Sequence, residues 1–115
     1  MKKFLLLLHE DMQTMEKLSL KEMEELINAH FAWVEKLKSD GNFISGDGLE
    51  STATFIMGKE CIIKDGPFLE TKEIIGGYYL LQAASKKEML AIAMECPAHL
   101  WGGTTEIRPI ADYES

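Results

Sequence analysis

One histidine, His30, stands among apolar residues that recur at helical spacing: Met23, Ile27, Phe31, Val34 and Leu37. Such a stripe is the face a helix turns towards a core, so an ionisable ring within it must find hydrogen-bond partners. Burial lowers an imidazole pKa unless a carboxylate offsets it, which is how a general base near neutral pH is made. A structural histidine held by a backbone carbonyl fits the same spacing. The second candidate is Asp65, in the stretch KDGPFLETKE. Its side chain suits an Asx-type turn ahead of Gly66 and Pro67, and it is also a carboxylate set between two apolar runs. Around it, Phe68, Thr71, Lys72, Gly76, Gly77 and Tyr78 form a possible pocket. Thr71 and Lys72 have the chemistry to hold an anion, although beside Glu70 and Glu73 they equally suit a solvated loop. Glycines inside a strand mark a bulge or a close approach of backbone or ligand.

Other reactive residues read as structural. His9, Glu10 and Asp11 are donors for a cation, but consecutive strand residues point to opposite sides, and a solvated loop after the first strand is expected. His99 follows Pro97 and reads as an exposed loop residue. Cys96 ends a helix, where the dipole opposes a thiolate, so a buried inert thiol is expected. Trp33 and Trp101 are large anchors for a pocket or a subunit seam. No phosphate loop, dinucleotide fingerprint, serine triad or zinc motif occurs, so no cofactor or metal is implied.

Several elements must position these residues. Phe4 to Leu8 is a continuous apolar run, as in a strand buried on both faces. Ser19-Leu20-Lys21-Glu22 reads as a capping box for a helix over 20–39 that stops at Gly41. Phe43 to Leu49 is a short, Gly-interrupted strand with a bulge. Thr52 to Met57 and Glu60 to Lys64 form a hairpin about Gly58-Lys59, with a type II′ turn. Asp65-Gly66-Pro67 then turns the chain. Ile74 to Ala83 is a central strand. Ser85-Lys86-Lys87-Glu88 opens a second helix with Met89, Ile92, Ala93 and Cys96 on one face, stopped by Pro97. Thr104 to Ile110 is the last strand. Two βαβ-like halves about an inserted hairpin predict an α+β, ferredoxin-like sandwich with an antiparallel sheet.

The chain has 115 residues and reads as one domain, 1–115. It is 46% hydrophobic and 27% charged, with a net charge of −7 and a pI near 4.9. That balance excludes a nucleic-acid footprint, which needs clustered Lys and Arg. The apolar start is too short for a signal peptide and no membrane span is present, so neither a membrane nor DNA is an expected partner. Two cysteines make no disulfide framework and suit a cytoplasmic, reducing location. Tyr78 and Leu80 face one side of the sheet, Tyr79 and Leu81 the other. Two helices cover one face only, so a second copy is expected on the other, giving a homodimer through sheet faces.

DGPF at 65–68, continued by LETKE and by GGYYL at 76–80, with Cys96-Pro97 and EIRP at 106–109, resembles the DGPF branch of the YCII-related superfamily. The resemblance spans essentially the whole chain. It implies a ferredoxin-like fold that dimerises into an α+β barrel, and a pocket His–Asp pair. The superfamily's His lies in the first helix, eleven residues before a glycine, as His30 lies before Gly41. Its Asp precedes a proline after the second helix, where this chain has Cys96. Asp65 is therefore the substitute carboxylate. The resemblance implies no settled function; some related genes lie beside sigma factors of the extracytoplasmic type. Two functions are expected to compete. One is an enzyme in which His30, oriented by Asp65, transfers a proton in an elimination or isomerisation of a small molecule. The other is a non-catalytic ligand-binding or regulatory dimer.

Overall fold

The computed structural model describes residues 1–66 and 73–113. Strand β1 (Lys2–Asp11) continues past its apolar run. His9, Glu10 and Asp11 are therefore strand residues and not a loop, because they pair with Ile75, Ile74 and Glu73 of β5 (Glu73–Ala83). Asp11 then accepts hydrogen bonds from the Gln13 amide and the Thr14 hydroxyl, capping a short helix, α1 (Met12–Glu16).

Helix α2 (Leu20–Ser39) starts at the expected capping box. The Glu22 amide donates to Ser19 Oγ and the Ser19 amide to Glu22 Oε1, each at 3.0 Å. It ends before Gly41, which sits at φ +76°. Its buried line is Leu26, Trp33 and Leu37, with His30 and Val34 half-buried. Ile27 and Phe31, expected to face the core, are exposed. The stripe is rotated because the Trp33 ring takes the central position, edge-on to Tyr79 at 5.1 Å between centroids.

Helix α3 (Lys86–Ala93) has the second cap, with Ser85 Oγ accepting from the Glu88 amide and Glu88 accepting from the Ala84 amide. Met89, Ala93 and Cys96 are buried as expected. Pro97 does more than stop this helix. It opens a 3-10 turn, Pro97–Trp101, where its missing N–H costs nothing. His99 lies in that turn rather than in a loop.

The main sheet has the order β2 (Phe43–Gly48), β5, β1, β6 (Thr104–Pro109), antiparallel throughout. This arrangement, with the two longer helices α2 and α3, is compatible with a ferredoxin-like α+β fold. A shift between Phe43 and Ser45 supplies the bulge expected in β2. On the helix side, Phe4, Leu6 and Leu8 join Tyr79, Leu81 and Ala83 in the buried core, where Leu6 and Leu81 have no exposed surface. On the other side, Leu5, Leu7, Tyr78 and Leu80 are only half-buried. Between these strands the register shifts: Leu8 faces Gly77 and His9 faces Ile75, leaving Gly76 as the extra residue. A Cβ on Gly76 would run into the Glu10 carboxylate, so glycine permits that approach.

Strands β3 (Ala53–Met57) and β4 (Ile62–Gly66) form a separate two-stranded arm. Met57 pairs with Ile62, so the loop has the four residues Gly58 to Cys61 instead of a two-residue type II′ turn. The Cys61 amide closes it on the Gly58 carbonyl at 3.2 Å. Asp65 and Gly66 are not a turn either. They extend β4 opposite Thr54 and Ala53, and Asp65 Oδ1 accepts the Thr54 hydroxyl at 2.9 Å in place of a local amide. Pro67, Phe68, Thr71 and Lys72 lie outside the described residues. Phe55, Ile56, Met57, Ile62 and Ile63 are all exposed on this arm. A lone two-stranded ribbon is marginal in water. No helix among the described residues is long and apolar enough to cross a membrane.

Removing a fully buried leucine should cost the sheet–helix core its packing. Leu81→Ala is expected to lower the unfolding free energy by about 2–5 kcal/mol, read from the midpoint shift in urea denaturation at unchanged slope.

Candidate functional site

Position 30 lies between Leu26 and Trp33 on the buried line of α2, which directs His30 at the sheet. Alternation along β5 sends Tyr79 to meet it. His30 Nδ1 and the Tyr79 hydroxyl are 2.8 Å apart, and the two rings stack at 6.1 Å between centroids, 21° from parallel. Burial holds the His30 pKa below its ordinary value, so the ring is neutral at neutral pH. Burial, and then the nearby Cys96, push the Tyr79 phenol up, so it stays protonated. A neutral hydroxyl both donates and accepts. Tyr79 can therefore donate to Nδ1 in one tautomer, and accept from Nδ1–H in the other tautomer or in the imidazolium. Among the described residues, Nε2 of His30 has no hydrogen-bond partner.

The structure does not bring Asp65 to this ring by a hydrogen bond. His30 is bonded to Tyr79, and Asp65 to Thr54 on the arm. Of the proposed pocket residues, Gly76 forms the bulge over Glu10, and Gly77 is buried against the Asp47 carbonyl and Leu8. Tyr78 turns to the helix-free face, where its hydroxyl donates to Asp47 Oδ2 at 3.1 Å. Sequence reasoning singled out Tyr78 and passed over Tyr79. The signal that finds Tyr79 is the period of two, which puts it on the same side as Leu81 and Ala83.

His9 and Glu10 diverge, as neighbours on a strand must. His9 lines an open cleft of about 1000 Å³ on the helix-free side, and its Nε2 lies 2.7 Å from Glu106 Oε1. Glu10 lines a cavity of about 20 Å³ with Asp11 and Trp101. Burial raises the Glu10 carboxyl pKa, and Trp101 Nε1–H is buried there with no partner among the described residues. The space accommodates one water-sized group and no organic substrate. His99 is held by the Gly103 carbonyl and the Thr105 hydroxyl. Among the described residues, no three His, Cys, Asp or Glu are grouped to hold a metal ion.

Residues 3–114 match the YCII-related domain. The chain belongs to the YCII-related family. It is also similar to an uncharacterized protein of Rhizobium meliloti (strain 1021), 45% identical over 56 residues, which is 48% of this chain and 45% of that one. The chain thus spans about half the length of that curated relative. Within this family frame, position 96 carries its own weight. Cys96 is fully buried in the cluster that holds Tyr79, and burial pushes its thiol up to about 11. A neutral thiol replaces the carboxylate that the resemblance implies there, and Tyr79 is the group that touches His30.

The lowered His30 pKa has a consequence for stability. The unfolded chain binds the proton more tightly, so stability is full above the ordinary histidine range and falls as pH drops from that range towards the folded-state value. His30→Asn should flatten this part of the pH–stability curve, measured by urea denaturation at a series of pH values.

Proposed function

We propose that this YCII-related chain, of the DGPF branch, is a small-molecule enzyme in which His30 moves a proton. The observation that carries the reading is the 2.8 Å contact between His30 Nδ1 and the Tyr79 hydroxyl on a half-buried, neutral imidazole. Nε2 takes the proton from a substrate C–H or O–H. The imidazolium so formed keeps Nδ1–H on the Tyr79 oxygen, so the ring does not have to turn as its charge changes. Tyr79 thereby takes the orienting role first ascribed to Asp65. The reaction class is elimination or isomerisation of a small organic acid or phenol, in a cytoplasmic protein.

The same reading includes a homodimer through the helix-free sheet faces, closing into an α+β barrel. It is supported by Leu5, Leu7, Tyr78 and Leu80 on a face that no helix among the described residues covers, and by the arm, where Ile56 and Ile63 are 68% and 67% exposed. Both surfaces are apolar and sit on the same chain, which is the condition for a self-complementary, two-fold contact.

Three measurements test these points. Proton transfer predicts that the wild-type protein catalyses solvent deuterium uptake at the α-carbon of small 2-oxo acids, followed by proton NMR. His30→Asn should slow it by about 10²–10⁴-fold, and Tyr79→Phe by less. Ligand binding in a thermal-shift screen with no exchange in any acid tried would favour the alternative, a non-catalytic ligand-binding dimer. Sedimentation should show the wild-type dimer dissociating in Leu7→Glu; a wild-type monomer at every concentration sinks the barrel.

A further inference from the structure

The His30 reading leaves three features unused: the carboxyl of Glu10, the indole of Trp101 and the glycine at the bulge of β5. They meet on the helix side of the sheet, away from the face given to a second copy. Alternation along β1 sends Glu10 to the side that buries Phe4, Leu6 and Leu8. There it lines the cavity of about 20 Å³ with Leu26 of α2, Thr14 of α1, and Ala98 and Trp101 of the 3-10 turn. The carboxyl lies across Gly76. A Cβ at that position would overlap both of its oxygens, so alanine there would drive it out of place. Trp101 Nε1–H is buried, and among the described residues neither it nor the Glu10 carboxyl has a hydrogen-bond partner. Buried polar groups are satisfied in all but a few cases, because an unmet donor forfeits its hydration for nothing.

The chemistry of the two groups decides what satisfies them. An indole nitrogen only donates, and a carboxyl oxygen accepts whether or not the group is ionised. The occupant must therefore accept on one side and donate on the other. An anion has nothing to donate to Glu10, and it meets the Asp11 carboxylate as well. A metal ion faces the positive end of the indole N–H, and no three His, Cys, Asp or Glu among the described residues are grouped to hold one. An alcohol has the right groups and exceeds the volume. Water has both the groups and the size. We infer that this cavity is a built water site, in which one molecule accepts from Trp101 Nε1–H and donates to the Glu10 carboxyl. Thr14, whose hydroxyl donates to Asp11, lines the same space and leaves its oxygen to accept the second hydrogen of the water. The bridge ties the end of β1 to the 3-10 turn that leads from α3 into β6. It also gives Gly76 a purpose, since the carboxyl reaches the water only where no side chain stands in its way.

The test is NMR of the full-length, isotope-labelled protein in water. The chain has two tryptophans, and Trp101→Phe identifies the indole signal of Trp101. In the wild type that indole proton should give a cross-peak to water of opposite sign in laboratory-frame and rotating-frame spectra, the mark of a long-lived bound molecule. Glu10→Gln keeps an acceptor and should keep the cross-peak. Glu10→Leu removes the acceptor and should lose it, as should Gly76→Ala, which displaces the carboxyl. A wild-type indole with no water cross-peak, or with one of equal sign in both spectra, overturns the inference. So does a cross-peak that persists in Glu10→Leu or Gly76→Ala, or one lost in Glu10→Gln. Circular dichroism confirms that each variant is folded, and the wild-type spectra decide the matter where one is not.

Discussion

The antiparallel pairing of β1 with β5 is the constraint on which the rest depends. Side chains alternate across a sheet, so a slip of one residue would exchange every residue between the faces. The observed register sends Phe4, Leu6, Leu8, Tyr79 and Leu81 under the helices and Leu5, Leu7, Tyr78 and Leu80 to the other side. The tyrosine pair is split by the same rule. Tyr79 reaches His30 and Tyr78 reaches Asp47. Alternation continues to the end of β1, so that His9 lines the open cleft with Leu5 and Leu7 and Glu10 the small cavity, while the extra residue at Gly76 bends β5 beside it.

Two histidines thus occupy opposite sides of one strand pair, each matched to a different kind of partner. His30 bonds a neutral phenol that accommodates either tautomer and the charged ring, which suits a proton that comes and goes. His9 bonds a carboxylate that only accepts, so its Nε2 carries the hydrogen. The difference follows from where the strands run. A buried side chain of β5 can only be an uncharged partner at modest cost, whereas the β6 edge is open enough to keep Glu106 ionised beside Arg108.

Much of the fold was legible because local signals agreed. Ser19 with Glu22 and Ser85 with Glu88 each announced a helix start, and each cap is made. The apolar run of β1 announced a strand buried on both faces; Phe4, Leu6 and Leu8 are buried, whereas Leu5 and Leu7 on the other face are half-buried. Expectations failed where pairing outvoted local chemistry. Asp65-Gly66 has the composition of a turn, yet the β3–β4 ladder carries it on as strand. His9-Glu10-Asp11 is polar enough for a loop, yet β5 continues alongside it. The stripe of α2 was misjudged at Ile27 and Phe31, since apolar residues outnumber the positions one helix face can bury, and the bulk of Trp33 settled the choice.

The sequence alone determined the α+β alternation, the two capped helices, the acidic character and the placing of an ionisable ring on a helix face turned to the sheet. Those properties rest on periods of 3.6 and 2 and on side-chain chemistry within a few residues. Only the tertiary structure decided what each histidine touches. His30 and Tyr79 are 49 residues apart, and His9 and Glu106 are 97 apart. No local pattern encodes such a meeting. It is set by strand register and by the packing of α2 on the sheet, and these emerge only when the whole sheet has been assembled.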